Sequence, residues 1–239
     1  MAGKHEKRLA APRAIQLHRK EKKWSYKVTA GPHPHERSIP LALVVRDYLK
    51  LCDTGREARR IIGAGSILVD GVKQKHHKHP VGLMDVVQVP ATKQAFRVLL
   101  DRHARLVLAP IAEADARWKL SRVQNKTTVP GGKTQLNLHD GRNILVPKTE
   151  YKTGDVLKIE VPSQKVLGAH KFSAGNLGLV VDGAHAGTIA PIKGVEVKKG
   201  PYPNIVVLSA EGGEFRTIKD YVFPVGEKAS DVKLPEVVA

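Results

Sequence analysis

Three arginines in the first third of the chain carry side chains that suit binding to a phosphate backbone. Arg56, Arg59 and Arg60 recur at helical spacing, and at about 100° per residue they share an arc of roughly 100° on one face. Guanidinium groups neutralise phosphates and release their counterions, so such a face predicts a polyanion as the ligand. The alternative interpretation is a solvated helix face on which the three charges contact only water.

The residues around these arginines predict the helix that positions them. Thr54 and Glu57 stand three apart, which is the spacing of a capping box at a helix N-terminus. Ala58, Ile61 and Ile62 fall on the arc opposite the arginines and predict the face that packs on the core. We therefore expect a short helix with one apolar face and one arginine face.

The same segment continues into a predicted hairpin. Gly63 and Gly65 can end the helix, because glycine adopts left-handed conformations at little cost. Ser66–Val69 has the composition of a short strand, and Asp70 followed by Gly71 is a strong signal for a two-residue hairpin turn. The arginine helix should thus lead directly into a tight hairpin.

A loop rich in lysine and histidine follows the hairpin and extends the basic set. Its candidate RNA-binding residues are Lys73, Lys75, His76, His77 and Lys78. Together with His79 the histidines suggest a metal site, but no carboxylate or thiol stands beside them and the lysines disfavour a divalent cation. A loop that lies on phosphates explains both residue types, so we expect neither a metal nor a cofactor.

Residues 1–37 form a basic extension with few apolar residues and several proline and glycine breaks. Its candidate RNA-binding residues are Lys4, His5, Lys7, Arg8, Arg13, Arg19, Lys20, Lys22, Lys23, Trp24 and Tyr26. The two aromatic side chains lie within the cationic run, a composition that suits stacking on bases or sugars beside phosphate contacts. We expect the extension to become ordered on RNA; the alternative is a non-specific solubilising tail.

Two family resemblances rest on these motifs. The pattern TGREARRIIGAGSILVDG resembles the RNA-binding domain named after bacterial small-subunit ribosomal protein four, and this resemblance runs from about Ser38 to Val89. In that family the arginine face of the second helix and the following hairpin grip RNA. GKHEKRLAAPRA at Gly3–Ala14 and GPHPHERSIPL at Gly31–Leu41 resemble the archaeal and eukaryotic type of small-subunit ribosomal protein four, the four-e family, over essentially the whole chain.

Together the resemblances and the composition predict an α+β fold in four parts. Residues 1–37 are expected to form an extended basic N-terminal arm, and residues 38–90 a small helix-rich RNA-binding domain of the ribosomal-protein-four type. Residues 91–171 are expected to form a β-rich central domain. Residues 172–239 are expected to form an SH3-like barrel with a C-terminal tail, since Gly175–Ile189 resembles a glycine-rich KOW hairpin.

The charge distribution places the polyanion partner on the first three parts. The chain has 239 residues, a net charge of +17 and a pI of about 10.0. The excess is +7 in residues 1–37, +3 in 38–90 and +8 in 91–171, whereas 172–239 carry −1. A balance this basic favours nucleic acid as the partner. Arg97 and Lys119 belong to the basic central region and are expected at its surface.

The sequence contains no pattern for catalysis or membrane insertion. Cys52 is the single cysteine, which excludes an internal disulfide and a multi-cysteine zinc site, and it is expected in the core. Signatures of serine hydrolases, zinc proteases and cysteine nucleophiles are absent, and no apolar run approaches ~20 residues. We expect a cytoplasmic protein that is not an enzyme and has no small-molecule substrate.

The resemblance implies a structural constituent of the small ribosomal subunit, of archaeal type. It would bind small-subunit rRNA, stabilise the folded arrangement of that RNA and contact neighbouring ribosomal proteins, with no membrane partner. Two alternatives remain open from the residues. One is an RNA chaperone or translation-quality factor that uses the same module off the ribosome, and the other is an RNA-modifying enzyme.

Overall fold

A computed structural model describes residues 5–147, 150–210 and 213–234 of the chain. The chain divides into two units, and each has its own sheets and core. The first unit takes the chain up to Leu99 together with Arg105–Lys119 and Val161–Ser163. The second takes Leu100–Ala104, Leu120–Glu160 and the chain from Gln164 onward.

The first unit combines one five-stranded sheet with two short ribbons and two helices. Its strands are β1 (Glu6–Lys7), β2 (Trp24–Ser25), β3 (Ser38–Pro40), β4 (Leu68–Val69), β5 (Val72–Lys73), β6 (Pro80–Gly82), β7 (Val86–Val89), β8 (Gln94–Leu100) and β9 (Leu106–Ile111). The sheet has the order β5-β4-β7-β8-β9, and the ribbons are β1–β2 and β3–β6. The helices are α1 (Leu41–Leu43), which continues as a π-helical turn over Val44–Tyr48, and α2 (Gly55–Gly63). Short 3₁₀ turns cover Arg8–Ala10, His35–Arg37, Pro90–Thr92 and Asp115–Arg117.

The first helix is buried on all sides. Every residue of Leu41–Val45 is buried, so this segment lies in the core and has no solvent face. The helical turn that follows ends at Tyr48. The Leu49 amide donates to the carbonyl of Val44, five residues back, at 2.9 Å, which is the π-type hydrogen bond.

The arginine helix α2 begins with the predicted capping box. The Thr54 hydroxyl accepts from the Glu57 amide at 3.3 Å, and the Glu57 carboxylate accepts from the Thr54 amide at 3.2 Å. Ala58 and Ile62 are buried and Ile61 is half-buried, so the predicted apolar face is the one that packs inward. The prediction for this helix is confirmed.

The hairpin after α2 is also confirmed, with a shorter first strand than predicted. Asp70 and Gly71 have φ angles of 51° and 73° between paired Val69 and Val72. Positive φ at both central residues is the requirement of a type I′ turn, which asparagine, aspartate and glycine meet most readily. The first strand covers Leu68–Val69 only.

Strands β8 and β9 extend the sheet of the first unit. The sequence assigned residues 91–111 to the central domain, yet β8 pairs antiparallel with β7 from Val86↔Arg97 to Val89↔Gln94. The predicted boundary at residue 90 therefore falls between two paired strands. The partner of a strand depends on packing against distant residues, which local composition does not reveal.

The second unit contains two five-stranded sheets in its described residues. Its strands are β10 (Trp118–Val129, which starts at the end of the first unit), β11 (Lys133–Leu138), β12 (Asn143–Val146), β13 (Val156–Glu160), β14 (Val166–His170), β15 (Leu177–Val180), β16 (Ile189–Glu196), β17 (Ile205–Ala210), β18 (Gly213–Ile218) and β19 (Val222–Gly226), with a 3₁₀ turn at Lys219–Tyr221. The sheets have the orders β12-β11-β10-β13-β14 and β18-β17-β16-β15-β19. Leu136, Leu157 and Ile159 form part of one core cluster, and Ile192 and Leu208 belong to the other. The strand-rich α+β class agrees with the prediction.

Cys52 differs from its predicted place in the core. The residue is half-buried in the loop before α2. Burial raises the pKa of its thiol, and the nearby carboxylate of Glu57 raises it further. Among the helices of the described residues, none is long and apolar enough to cross a membrane.

Candidate nucleic-acid interface

The arginine face of α2 is open to solvent. Arg56, Arg59 and Arg60 are all exposed, as the helical spacing predicts. In the described part of the chain none of the three forms an ion pair with a carboxylate. The Glu57 carboxylate interacts with Arg60 but offsets only one of the three charges, so a positive surface remains that an anion can neutralise.

The lysine–histidine loop after β5 lies beside this helix. Lys73 lies next to Gly65, two residues past the end of α2. Lys75 and His76 are exposed, whereas His77 and Lys78 are half-buried. The rings of His76 and His77 stack with centroids 5.4 Å apart and planes 24° apart. The described residues hold no cluster of three or more metal-ligating side chains.

Tyr26 joins the N-terminal extension, α2 and the histidine loop. Its hydroxyl donates to the carbonyl of Gly55, in the first turn of α2, at 3.3 Å. The guanidinium groups of Arg46 and Arg59 lie 5.7 and 5.8 Å from its ring centroid, and the His77 ring meets it edge-on at 5.8 Å. The sequence proposed Tyr26 as a stacking surface for RNA, but the structure shows a ring already surrounded by protein groups.

The positive neighbours of His77 influence its charge state. Burial lowers the pKa of His77, and the cations of Arg59, His76 and Lys78 lower it further. Its imidazole therefore favours the neutral form at neutral pH. The positive charge of this surface comes mainly from arginine and lysine.

A buried ionic network holds the turn of the hairpin. Lys119 is fully buried, and its ammonium donates to Asp70 at 2.7 Å and to Asp85 at 2.8 Å. Asp85 also contacts the His33 ring at 2.9 Å and accepts from the Gly82 amide at 3.0 Å. Asp70 is the first turn residue of the hairpin, so Lys119 ties that turn to the residues before β7.

Asp85 is held in its charged form by these contacts. Burial on its own would raise the pKa of Asp85, but the charges of His33 and Lys119 outweigh burial. Hydrogen bonds from His33 and from the Gly82 amide act in the same direction, and the pKa lies well below its usual range. The network therefore behaves as a set of paired charges in the core.

Sequence reasoning missed this network. Lys119 and Arg97 were predicted as surface cations of a basic central region, and both are buried. The Arg97 guanidinium stacks on the ring of Trp118 at 3.9 Å and donates to the carbonyls of Asp115 and Trp118 at 2.8 and 2.9 Å. Lysine and arginine are almost never fully buried unless paired, and these partners lie 18 to 49 positions away.

Two arginines of the N-terminal extension also serve structure. Arg8 is buried, contacts Glu21 at 3.2 Å and Asp47 at 3.7 Å, and thereby fixes the start of the extension. The Arg19 guanidinium donates to the carbonyls of Ala11 at 2.6 Å and of Pro12 at 3.0 Å. Both side chains therefore have internal partners, and their contact with RNA stays a prediction.

Most of the other candidate RNA-binding residues of the extension are exposed. Exposed cationic or histidine side chains are His5, Lys7, Arg13, Lys20, Lys22 and Lys23. Trp24 is 54% exposed. Lys4 lies outside the described residues. The extension is part of the first unit and packs against its other segments: Ala11 and Ile15 are buried, and the Leu106 amide donates to the Ala14 carbonyl at 2.8 Å.

The fold and this surface define a class of protein, a basic α+β protein with an exposed face of arginine and lysine. Comparison with known proteins identifies the family. Residues 92–166 match the family model "Ribosomal family S4e", and residues 2–36 match the model of the RS4NT (NUC023) domain.

Full-length relatives agree with these two matches. The chain is 48% identical to small ribosomal subunit protein eS4 of Methanothermobacter thermautotrophicus, over 97% of this chain and 96% of that protein. It is 47% identical to eS4 of Archaeoglobus fulgidus over 95% of each. The crystal structure of the 30S ribosomal protein S4e from Thermoplasma acidophilum superimposes with a TM-score of 0.71 at 36% identity, over 82% of this chain and 99% of that one. The chain belongs to the ribosomal S4e family.

Proposed function

We propose that the chain binds small-subunit rRNA through the exposed cations of its first unit and stabilises the folded arrangement of that RNA. As an S4e protein it is a structural constituent of the small ribosomal subunit and not an enzyme, and it works in the cytoplasm as part of that particle. Its partners are rRNA and neighbouring ribosomal proteins.

One observation supports this proposal above the others: exposed arginines on α2 and exposed lysines in the segment after it that form no ion pair within the described residues. The arginines are Arg56, Arg59 and Arg60, and the lysines are Lys73 and Lys75. Like charges on one surface repel one another, so fold stability does not explain these cations. Phosphates of a folded RNA relieve the repulsion and release counterions.

The surface is held in shape before RNA arrives. The capping box fixes the start of α2, and the contact of Lys119 with Asp70 fixes the hairpin turn beside it. Tyr26 fixes the distance between α2 and the loop that carries His77. Binding to such a preorganised surface loses less conformational entropy than binding to a flexible tail.

The four-part layout forms the second half of the proposal. Residues 1–37 act as a basic extension, 38–90 together with the paired strands β8 and β9 as the RNA-binding domain, the rest of 91–171 as a β-rich central domain and 172–239 as a KOW-type SH3-like barrel with a tail. The sheet β18-β17-β16-β15-β19 supports the last of these, because β15 and β16 flank the glycine-rich hairpin and β19 returns to pair with β15.

The arginine face is tested by removing two of its charges. We expect the double variant Arg56→Ala/Arg60→Ala to bind small-subunit rRNA more weakly. The plot of log affinity against log salt should flatten by about one unit for each phosphate that the variant no longer neutralises. Thermal stability should stay nearly unchanged, because both side chains are exposed. Filter binding over a salt series and thermal unfolding measure the two effects.

The matched control removes two exposed charges elsewhere. Lys198→Ala/Lys199→Ala alters a loop of the second unit and has the same change in net charge. Its salt dependence should stay close to that of the unchanged protein. Equal losses in both double variants would show that net charge, and not the α2 surface, drives binding. A large loss of stability in the arginine variant would instead show that the arginines are structural.

A further inference from the structure

The ribbon β1–β2 has an inner and an outer face. Glu6 pairs with Ser25 and Lys7 pairs with Trp24, and side chains at paired positions lie on the same face of a sheet. Glu6 is only 7% exposed, whereas Trp24 is 54% exposed and Lys7 is exposed. The outer face of the ribbon therefore presents an indole and an ammonium group to solvent.

A lysine and a histidine lie beside that indole. The Lys23 ammonium lies 5.3 Å from the ring centroid of Trp24, and the His5 ring lies 5.8 Å away at a tilt of 56°. Within the described residues, Lys7 and Lys23 form no ion pair with a carboxylate. The fold gains little from an aromatic side chain that is half in water, since only its buried area is stabilising.

Trp24 and Tyr26 differ in availability although they stand two residues apart. The Tyr26 ring is half-buried between Arg46, Arg59 and His77, and its hydroxyl is bonded to Gly55. Trp24 also has two protein neighbours, Lys23 and His5, but its side chain stays 54% exposed. Of the two aromatic side chains, the indole is the one with a face open to a ligand.

We propose that the outer face of the β1–β2 ribbon binds a single unpaired nucleobase of RNA, stacked on the indole of Trp24. The phosphates that flank this base lie on Lys7 and Lys23. A base inside a duplex is covered by its neighbours on both faces, so only an unpaired or extruded base offers a face to the indole. The inference rests on the proposed RNA-binding function and adds the class of nucleotide that the N-terminal extension recognises.

The ribbon is rigid enough to hold such a site. Arg8 directly follows β1 and is buried against Glu21 and Asp47. The Arg8 amide donates to the Lys23 carbonyl at 3.1 Å, which continues the pairing of the two strands. Because these contacts exist without RNA, the indole is already positioned when a base arrives, and less binding energy is lost to ordering.

The test compares two RNAs on the full chain. The probes are labelled oligoadenylate, which offers unpaired bases, and an RNA duplex with the same number of phosphates. We expect Trp24→Ala to weaken oligoadenylate binding by roughly 5- to 150-fold, the range for loss of one stacked base. Duplex binding should change less than about two-fold, and the salt dependence should stay the same, because the lysines still neutralise the same phosphates. Trp24→Phe should retain most of the affinity.

A second exposed aromatic provides the control. Tyr202 is 72% exposed and follows Lys198 and Lys199 in the sequence of the second unit. Tyr202→Ala therefore removes an exposed ring that is close to lysines in the sequence but lies outside the β1–β2 ribbon. It should bind oligoadenylate like the unchanged protein. Equal losses in Trp24→Ala and Tyr202→Ala, or equal losses on both RNAs for Trp24→Ala, would overturn the stacking site.

The outcome also separates this inference from the proposed function. If Trp24→Ala binds oligoadenylate normally while Arg56→Ala/Arg60→Ala binds rRNA more weakly, the stacking site is wrong and the arginine surface stands. If both variants bind normally, both proposals are wrong. Thermal unfolding of Trp24→Ala should match the unchanged protein, since half of the side chain is already in water.

Discussion

Replacing Asp85 by asparagine should lower the free energy of unfolding of the first unit by about 3–5 kcal/mol, the usual cost of breaking a buried ion pair. Asp85 is 1% exposed and faces both Lys119 and His33. The variant removes the negative charge but leaves Lys119 buried with a single carboxylate, that of Asp70. Both tryptophans lie in the first unit, so their fluorescence during urea unfolding measures this loss.

Two controls accompany the Asp85→Asn variant. Glu36 is exposed in the same unit, and Glu36→Gln should change stability by no more than about 0.5 kcal/mol. The second control is pH. Because the pKa of folded Asp85 lies below that of the unfolded chain, its contribution is present above about pH 5 and is lost as the pH falls. The free energy of unfolding of the Asp85→Asn variant should therefore fall less on acidification than that of the unchanged protein. Equal stability of the variant and the unchanged protein would show that the network contributes nothing.

Replacing Gly82 by alanine should destabilise the same unit by roughly 2–4 kcal/mol through overpacking. A Cβ at this position would lie 2.3 Å from Cγ and 2.5 Å from Nδ1 of the His33 ring. The ring is held by its contact with Asp85 at 2.9 Å, and both residues are buried. The methyl group therefore displaces His33 and separates it from Asp85. Urea unfolding followed by tryptophan fluorescence measures the effect.

A second glycine offers the matched control for that variant. Gly63 ends α2, and a Cβ added there meets nothing within 4 Å. Gly63→Ala should be neutral or stabilising by up to about 1 kcal/mol, because alanine loses less backbone entropy in a helix. Similar losses at both glycines would mean that the His33 contact is not the cause.

Sequence reasoning succeeded where the signal is local. The capping box of Thr54 and Glu57 and the turn at Asp70-Gly71 each depend on residues within four positions of one another, and both form as predicted. The exposure of the three arginines follows from helical spacing alone.

Long-range pairing is what the sequence did not reveal. Lys119 lies 49 positions from Asp70 and 34 from Asp85, so no local pattern distinguishes it from a surface lysine. The N-terminal extension was expected to order only on RNA. It instead packs within the first unit, where the buried Arg8 contacts Asp47, 39 positions away, and the Gln16 amide donates to the Tyr48 hydroxyl. From the sequence alone, a lysine or arginine that is buried and paired cannot be distinguished from one that binds RNA, because its partners are distant in the chain.

The central claim is tested most directly by the sedimentation of the native protein in lysate of the cells that produce it, through a gradient at low and at high salt. Our account predicts co-migration with small ribosomal subunits in near-stoichiometric amount, with release only at high salt, because phosphate contacts dominate its affinity. A protein that stays at the top of the gradient at both salts would contradict the account. So would a substoichiometric protein on other particles, which is the behaviour of an RNA chaperone.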